Sequence, residues 1–448
     1  GPLRGARRLT GANRMTTLLR VGIAGLGTVG SSVIRLLERQ AEALAARTGR
    51  RIAVTGVSAR DRSRDRGVDL RDVKWFDDPV ALASSSDIDL FVELVGGDEG
   101  SARKSVEAAL SSGKPVVTAN KALLAKHGMS LARLAEEKRV ALAFEASVAG
   151  GIPIVKTLRE GLAGNEISRV YGILNGTCNY ILSRMELEGL SFEDCLKEAQ
   201  RLGYAEADPT FDIGGFDTAH KLAILTSLAF GTAVDAEAIH VEGITSIRLE
   251  DLRSADELGY RIKLLGVAQR TPDGIEQRVH PTMVPKSSAI AQVMGVTNAV
   301  TIDADAVKEL TLVGPGAGGD ATASAVVADI ADVARGIRSA PFGLPAASLA
   351  APNRRAMQRH EGGYYIRLSV HDRPGAAANI AMRMAERQIS LESIMQKGLR
   401  RAAPAGAPVP VVLITYATTE AIIREALEAA VGDGYIAEKP QVIRIERE

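Results

Sequence analysis

The chain has little cysteine, little aromatic content and no excess charge of either sign. Cys178 and Cys195 are its only thiols in 448 residues. Two are too few for a disulfide framework, so the expectation is a reducing, cytoplasmic setting. There is no CxxC and no HExxH, and the six histidines fall at no metal-ligand spacing. Fifty-five basic residues oppose 54 acidic ones, a net charge of +1, which gives no electrostatic case for nucleic acid or an anionic membrane as partner. Long apolar runs are lacking too. The longest uncharged stretch, Ala402 to Thr419, carries three prolines and several polar residues and does not read as a membrane span. The opening GPLRGARRLTGANR is basic without an apolar core, so it is no secretory signal. Gly1-Pro2 reads as a tag remnant and Met15 as a native start, and residues 1–17 are set aside. What remains is an ordinary globular composition, 46% hydrophobic and 24% charged, with room for two or three domains.

LLRVGIAGLGTVGSSVIRLLERQAEAL places a short apolar strand, Leu18 to Ala24, ahead of Gly25-x-Gly27-x-x-Gly30 and a periodic helix from Val29 to Leu44. Glycine permits the tight turn and the approach of phosphate oxygens to backbone amides, and the helix N-terminus adds partial positive charge. Gly25, Leu26, Gly27, Thr28, Val29 and Gly30 are therefore the expected dinucleotide cradle, and the flanking strand and helix supply its confirming context. The second strand, Arg51 to Val57, ends Ser58-Ala59-Arg60-Asp61 without an acid at the ribose position. Arg60 points either to a 2′-phosphate, favouring NADP(H) over NAD(H), or to a solvated loop beside Arg62 and Arg64. DIDLFVELVGG (Asp87–Gly97) and GKPVVTANKALLA (Gly113–Ala125) are two more strands. Their carboxyl ends direct Gly96, Gly97, Thr118, Ala119, Asn120 and Lys121 at the same crevice. Lys121 is either solvated or a positive charge for a reacting oxygen.

In FEASVAGGIPIVKTLREGL a strand leads through a small-residue loop, whose carbonyls suit a monovalent cation or simply a sharp turn, into a helix begun by Pro153. RVYGILNGTCNYILSRME is a strand, then Asn175-Gly176-Thr177, then a helix whose free amides suit a carboxylate. Cys178 there is either an activated thiol or a small buried hydrophobe. GYAEADPTFDIGGFDTAHKLAIL gathers Glu206, Asp208, Asp212 and Asp217 ahead of Lys221. Asp217 and Lys221 are four apart on one helix face that continues as Leu225 and Leu228. The lysine is either a snorkelling partner of Asp217 or the centre of a site that holds its protonation state and binds an amine. Four further strands follow (GYRIKLLGVAQR, IEQRVHPTMVP, NAVTIDADAV, KELTLVG). A second glycine loop, GPGAGGD, then opens a helix expected to pack back on the first domain.

Ser339 to Gly363 is rich in Pro, Ala and Gly and reads as a linker. After it, strand, helix, strand, strand, helix and strand follow in order, with DRPG (Asp372–Gly375) opening the first helix. This is the βαββαβ ferredoxin-like plan. The expected fold is α/β: a Rossmann-type doubly wound domain over 18–147, a mixed catalytic and dimerisation domain over 148–338, a linker over 339–362 and the ferredoxin-like domain over 363–448.

Taken together, GLGTVG, TANKALLA, FEASVAGGIP, GILNGTCNYIL and GYAEADPTFDIGGFDTAHKLAIL resemble homoserine dehydrogenases of the monofunctional type with a C-terminal ACT regulatory domain, over nearly the whole chain from Leu19. The resemblance implies NAD(P)H-dependent reduction of L-aspartate 4-semialdehyde to L-homoserine, in threonine, methionine and isoleucine biosynthesis. It implies Lys221 as acid/base, Asp217 as its orienting partner and Lys121 as stabiliser of the alkoxide. Glu206, Asp212, Gly176, Thr177 and Tyr204 would bind substrate, and Gly318 would lie near the cofactor. Backbone carbonyls of Glu145, Val148, Gly150 and Ile152 would hold sodium. Asp372, Gly375 and Asn379 would contact an effector, threonine, and the chain would be a dimer or tetramer.

Overall fold

The structure is a computed structural model and describes residues 17–351, 353–396 and 406–447. Apart from residue 17, the N-terminal stretch set aside above lies outside them. The chain forms two compact units, one running to Ser147 and joined by Gly318–Pro341, the other comprising Val148–Ala317 and Phe342–Glu448.

The first unit is built on six strands, β1 (Leu19–Ala24), β2 (Ile52–Ser58), β3 (Lys74–Phe76), β4 (Leu90–Glu93), β5 (Val116–Thr118) and β6 (Leu142–Ala143). All pair in parallel in the order β3-β2-β1-β4-β5-β6. Their short continuous apolar runs suit a sheet covered on both faces. The order reverses between β1 and β4, which opens a crevice at the carboxyl ends of those two strands. The helix expected over Val29–Leu44 is two helices, Thr28–Arg39 and Ala41–Thr48. The backbone leaves helical geometry at Gln40 (φ −102°, ψ 14°), and Leu44 still reaches the core that Leu37 occupies. The helix Gly319–Arg335 returns to this unit, burying Ala323, Val326 and Ile330 with Val33, Ile34 and Leu37. A Cβ at Gly319 would meet Ser32 Oγ at 2.7 Å, so glycine there sets how closely that helix approaches Thr28–Arg39.

The second unit carries β7 (Ile167–Ile173), β8 (His240–Val241), β9 (Tyr260–Thr271), β10 (Gly274–Pro285), β11 (Thr297–Ala304), β12 (Lys308–Pro315), β13 (Glu361–Val370), β14 (Leu391–Gln396), β15 (Val409–Thr415), β16 (Thr418–Thr419) and β17 (Gln441–Ile445). Its sheet runs β12-β11-β7-β9-β10-β17-β13-β15-β14, with β8 beside β10 and β16 beside β13. The last four strands of that order, with helices Ala376–Glu386 and Glu420–Gly432, are the expected βαββαβ plan. They are continuous with the preceding sheet, because β17 pairs in parallel with β10 through Thr282–Arg444 and Met283–Ile445. The segment expected as a linker is not a bare tether. Ile275 N–H donates to Asn353 O at 2.7 Å, Ala233 N–H to Ala350 O at 2.9 Å, and Arg354 forks onto Asp235 at 2.7 and 2.8 Å.

One face of the C-terminal strands packs Tyr364, Ile366 and Leu368 on its two helices. The opposite face turns Tyr365 and Arg367 onto Asp251 of helix Leu249–Glu257: the Tyr365 hydroxyl donates at 2.9 Å and Arg367 Nε at 2.7 Å. Asp251 is fully buried. Removing one partner of such a pair strands a charge in low dielectric, so Asp251→Ala is expected to lower the unfolding free energy by about 3–5 kcal/mol. Chemical denaturation of the full chain measures this.

Candidate active site

Gly215 (φ +86°) turns the chain into helix Phe216–Phe230, a conformation glycine adopts without strain. Asp217 and Lys221 follow on consecutive turns. Lys221 Nζ lies 2.9 Å from Asp217 Oδ2, and the two side chains are only 12% and 7% exposed. Nζ also donates to Leu174 O at 2.7 Å. Two of its three N–H groups are thus taken, which leaves one for an incoming oxygen.

Leu174 and Asn175 lie where β7 runs into helix Gly176–Glu188. Asn175 Nδ2 donates to Asp212 Oδ1 at 2.8 Å and to Asp217 Oδ2 at 2.9 Å, while its Oδ1 caps the helix by accepting from Cys178 N. One amide therefore gathers two carboxylates and a helix end. A Cβ at Gly176 would meet Val296 O at 2.8 Å, so the helix start sits tight against that loop. The Thr177 hydroxyl donates to the Tyr204 carbonyl, and the Tyr204 ring stands edge-on to Tyr180 with centroids 5.0 Å apart.

The four carboxylates do not all surround the lysine. Asp217 pairs with it, and Asp212 joins through Asn175. Asp208 instead accepts from Thr210 N and Oγ1 at 3.2 and 2.7 Å, closing its own turn. Glu206 is exposed.

Cys178 is completely buried and its Sγ donates to Asp212 O at 3.2 Å. Burial first, then the Asp212 and Asp217 charges, push this thiol well above its ordinary range. Of the two readings of Cys178, the geometry favours the inert one.

In the first unit the glycine turn follows β1. A Cβ at Gly25 (φ +97°) would meet Leu94 O at 2.5 Å, and one at Gly30 would meet Gly25 O at 2.1 Å. A Cβ at Gly27 would meet nothing within 4 Å, so open space faces the uncapped N-terminus of helix Thr28–Arg39. That is the geometry of a pyrophosphate cradle. The groove here has a volume of about 600 Å³ and is lined by Gly25, Leu26, Gly27 and the loop after β2, including Arg60 and Arg64. Asp61, the acid nearest the ribose position, has its carboxylate turned to Ser63 N and Oγ at 2.9 and 2.6 Å. Gly96 and Gly97 both have positive φ. Their loop is held by Glu93, a residue the sequence reading passed over. Fully buried at the end of β4, Glu93 accepts from Val95 N, Gly96 N and Thr118 Oγ1 at 2.8, 2.9 and 2.8 Å. Asn120 caps helix Lys121–Lys138 through Leu123 N and donates to Gly97 O at 2.6 Å. Lys121 is the first residue of that helix, half-buried at the carboxyl end of β5. Gly318 (φ +112°) precedes helix Gly319–Arg335 in the same unit.

The remaining candidates are loop residues. Glu145 N donates to Asp329 Oδ2 at 3.0 Å. Gly150 (φ +53°) turns with its Cα against Gly316 O, and the Ile152 carbonyl accepts from Ile154 N at 2.8 Å. Gly375 (φ +86°) caps helix Ala376–Glu386, Asp372 is exposed before it, and the buried Asn379 Oδ1 has no hydrogen-bond partner.

Comparison with known proteins decides the family. The model for the homoserine dehydrogenase NAD binding domain matches residues 25–145, and that for homoserine dehydrogenase matches residues 153–331. The homoserine dehydrogenase of Neisseria gonorrhoeae is 44% identical over 435 residues, which is 96% of this chain and 98% of the relative. The chain belongs to the homoserine dehydrogenase family. The solved homoserine dehydrogenase of Thiobacillus denitrificans superposes with a TM-score of 0.90 at 43% identity, covering 96% of this chain and 98% of the other. A hyperthermophilic archaeal homoserine dehydrogenase, solved in complex with NADPH, superposes with a TM-score of 0.62 at 27% identity, covering 72% and 99%. The chain is therefore an oxidoreductase that uses a nicotinamide cofactor, with a Rossmann-type parallel sheet and a mixed catalytic sheet. Among the described residues no helix is long and apolar enough to cross a membrane.

The buried thiol separates this chemistry from a thiohemiacetal route. Cys178 in the folded enzyme is expected to resist iodoacetamide at pH 8, and Cys178→Ala to keep turnover within about threefold, where loss of a true nucleophile would cost orders of magnitude. Mass spectrometry and NADPH-oxidation kinetics check the two halves.

Proposed function

We propose that Lys221 is the acid/base of the homoserine dehydrogenase reaction, reducing L-aspartate 4-semialdehyde to L-homoserine reversibly. The observation that carries this is the nearly buried Lys221 ammonium, fixed by Asp217 and Leu174 O with one N–H left over. The nicotinamide, when bound, supplies or accepts the hydride. Lys221 donates the proton that the carbonyl oxygen needs as it becomes an alkoxide, and takes it back in the reverse direction. Asp217 orients the ammonium and balances its charge. Lys121 offers a second positive charge to the developing oxygen. Glu206 and Asp212 receive the substrate's amine and hydroxyl region. Gly176 and Thr177, at the start of helix Gly176–Glu188, together with Tyr204, shape the pocket for its carboxylate.

For the cofactor we favour NADP(H) over NAD(H), bound along Gly25, Leu26, Gly27, Thr28, Val29 and Gly30, with Gly96, Gly97, Thr118, Asn120 and Gly318 around it. Support comes from Asp61 after β2, whose carboxylate is turned to Ser63, from Arg60 in the lining of the groove and from the NADPH-bound archaeal relative. Backbone carbonyls of Glu145, Val148, Gly150 and Ile152 are the proposed sodium ligands. Neutral carbonyl donors suit a hard cation, and among the described residues no cluster of three His, Cys, Asp or Glu side chains competes as a metal site. The C-terminal βαββαβ region is read as an ACT domain that brings threonine feedback through Asp372, Gly375 and Asn379. The partnerless Asn379 Oδ1 is the support for that placement. The enzyme would act in the cytoplasm as a dimer or tetramer, with neither nucleic acid nor membrane as partner.

Two kinetic experiments test this. With aspartate semialdehyde and NADPH, Lys221→Ala should lose about 10²–10⁴-fold in kcat with cofactor binding intact. Comparable turnover in the variant removes Lys221 from the chemistry, and wild-type rates run with and without threonine test the feedback. Arg60→Ala should raise KM for NADPH about tenfold while leaving KM for NADH within about twofold, since only the phosphate contact is lost. Equal effects on both cofactors would return Arg60 to the solvated loop.

A further inference from the structure

Lys263 of β9 is an ammonium that the chemistry at Lys221 does not use. It is 1% exposed and makes no ion pair with any described residue. Its three N–H groups go to neutral acceptors: Val293 O at 2.6 Å, Asn179 Oδ1 at 3.1 Å and Met294 Sδ at 3.3 Å. Burying an ammonium without a counter-ion is costly, so its place calls for a reason beyond packing. All three acceptors belong to one junction. Asn179 lies in the first turn of helix Gly176–Glu188, and its Nδ2 donates to Val293 O and Thr297 O at 3.0 and 3.3 Å. Gly295 N donates to Ser183 Oγ of the same helix at 3.0 Å. The loop fastened in this way carries Val296, whose carbonyl oxygen would lie 2.8 Å from a Cβ at Gly176. Lys263 thus fixes the loop, and the loop backs the helix start at Gly176 and Thr177.

We propose that Lys263 is a positioning residue for the substrate: its ammonium clamps the 293–297 loop behind the helix start that receives the substrate's carboxylate, and adds its own positive charge to that end of the helix. The inference rests on the carboxylate assignment made above for Gly176 and Thr177. A helix N-terminus already favours an anion. A cation held beside its first turn, away from water and without a counter-ion, acts in the same sense. That charge is titratable. Burial, and then Arg261 of the same strand, push Lys263 down to about 8, with Glu186 of helix Gly176–Glu188 opposing them. Residues 287–301 bring no titratable side chain. Strand β10 brings Thr282 opposite Lys263 and, two positions along, His280, which burial with Arg444 and Arg278 holds well below its ordinary range. Substrate affinity is therefore expected to fall as pH rises through about 8, where the ammonium loses its proton.

The test is steady-state kinetics of the full chain with NADPH and two aldehydes, aspartate semialdehyde and 3-aminopropanal, which lacks only the carboxylate. Lys263→Met keeps the length and loses the charge. It should raise KM for the semialdehyde about tenfold, with kcat within about threefold and KM for NADPH within about twofold. KM for 3-aminopropanal should not move. Between pH 7 and pH 9 the semialdehyde KM should climb more steeply in the wild type than in the variant, since titration of the substrate and of Lys221 is common to both. Ser183→Ala frees Gly295 N and loosens the loop from its other side. It should raise the same KM about threefold, and it carries the test if Lys263→Met does not fold. A wild type that does not prefer the semialdehyde to 3-aminopropanal sinks the carboxylate assignment itself. A preference that survives Lys263→Met intact, or a KM rise shared by both aldehydes and NADPH, overturns the role of Lys263 alone. Parallel pH profiles in the two proteins overturn the part given to its charge.

Discussion

An ammonium withdrawn from water must be given back the hydrogen-bond acceptors that the solvent supplied. At Lys221 that compensation comes from Asp217 and the Leu174 carbonyl, and the neighbouring architecture follows from keeping those two acceptors still. Asp217 is itself held by Asn175, which also holds Asp212 and caps the next helix. Asn175 in turn follows β7, a strand paired on both sides, by β11 and β9. The lysine's geometry is thus set by the centre of a sheet and not by a loop, which is the rigidity that the proposed acid/base role requires.

A second set of buried charges joins the C-terminal strands to that sheet. Arg444, fully buried, bonds Glu420 and Glu242, while Arg278 bonds Glu276 and Glu446. Glu446 also takes Arg169 of β7 at 3.1 Å. Burying ions in this way is no strong source of stability. Their value here is directional: β10 and β17 share only two paired positions, and forked guanidiniums add fixed contacts that a slipped register would break.

Local chemistry was legible in the sequence. The strand, GxGxxG and helix stood together because a turn that cradles phosphate is built from adjacent residues. Asp217 and Lys221 met as their four-residue spacing required, and the βαββαβ order followed from alternating periods. Distant partnerships were not legible. Asn175 reaches carboxylates 37 and 42 positions away, and nothing in its own segment announces them. Glu93 looked like the end of a buried strand, yet it anchors the amides of the glycine loop. Counting carboxylates near Lys221 overstated the cluster, because Asp208 spends its oxygens on its own turn. Continuity between β10 and β17 was hidden as well, since an edge strand's choice of neighbour is not written in its periodicity.

That continuity also orders events during synthesis. Strand β17 follows in the chain every other strand of the sheet it unites. Until β17 is in place, the strands from β12 to β10 and the strands from β13 to β14 are two separate ribbons, and β10 and β13 each keep an unpaired edge. Such an edge recruits strangers. The arrival of five residues, Gln441 to Ile445, closes both and fuses the ribbons, so late delay or interruption of translation leaves this protein more exposed to aggregation than its finished fold would suggest.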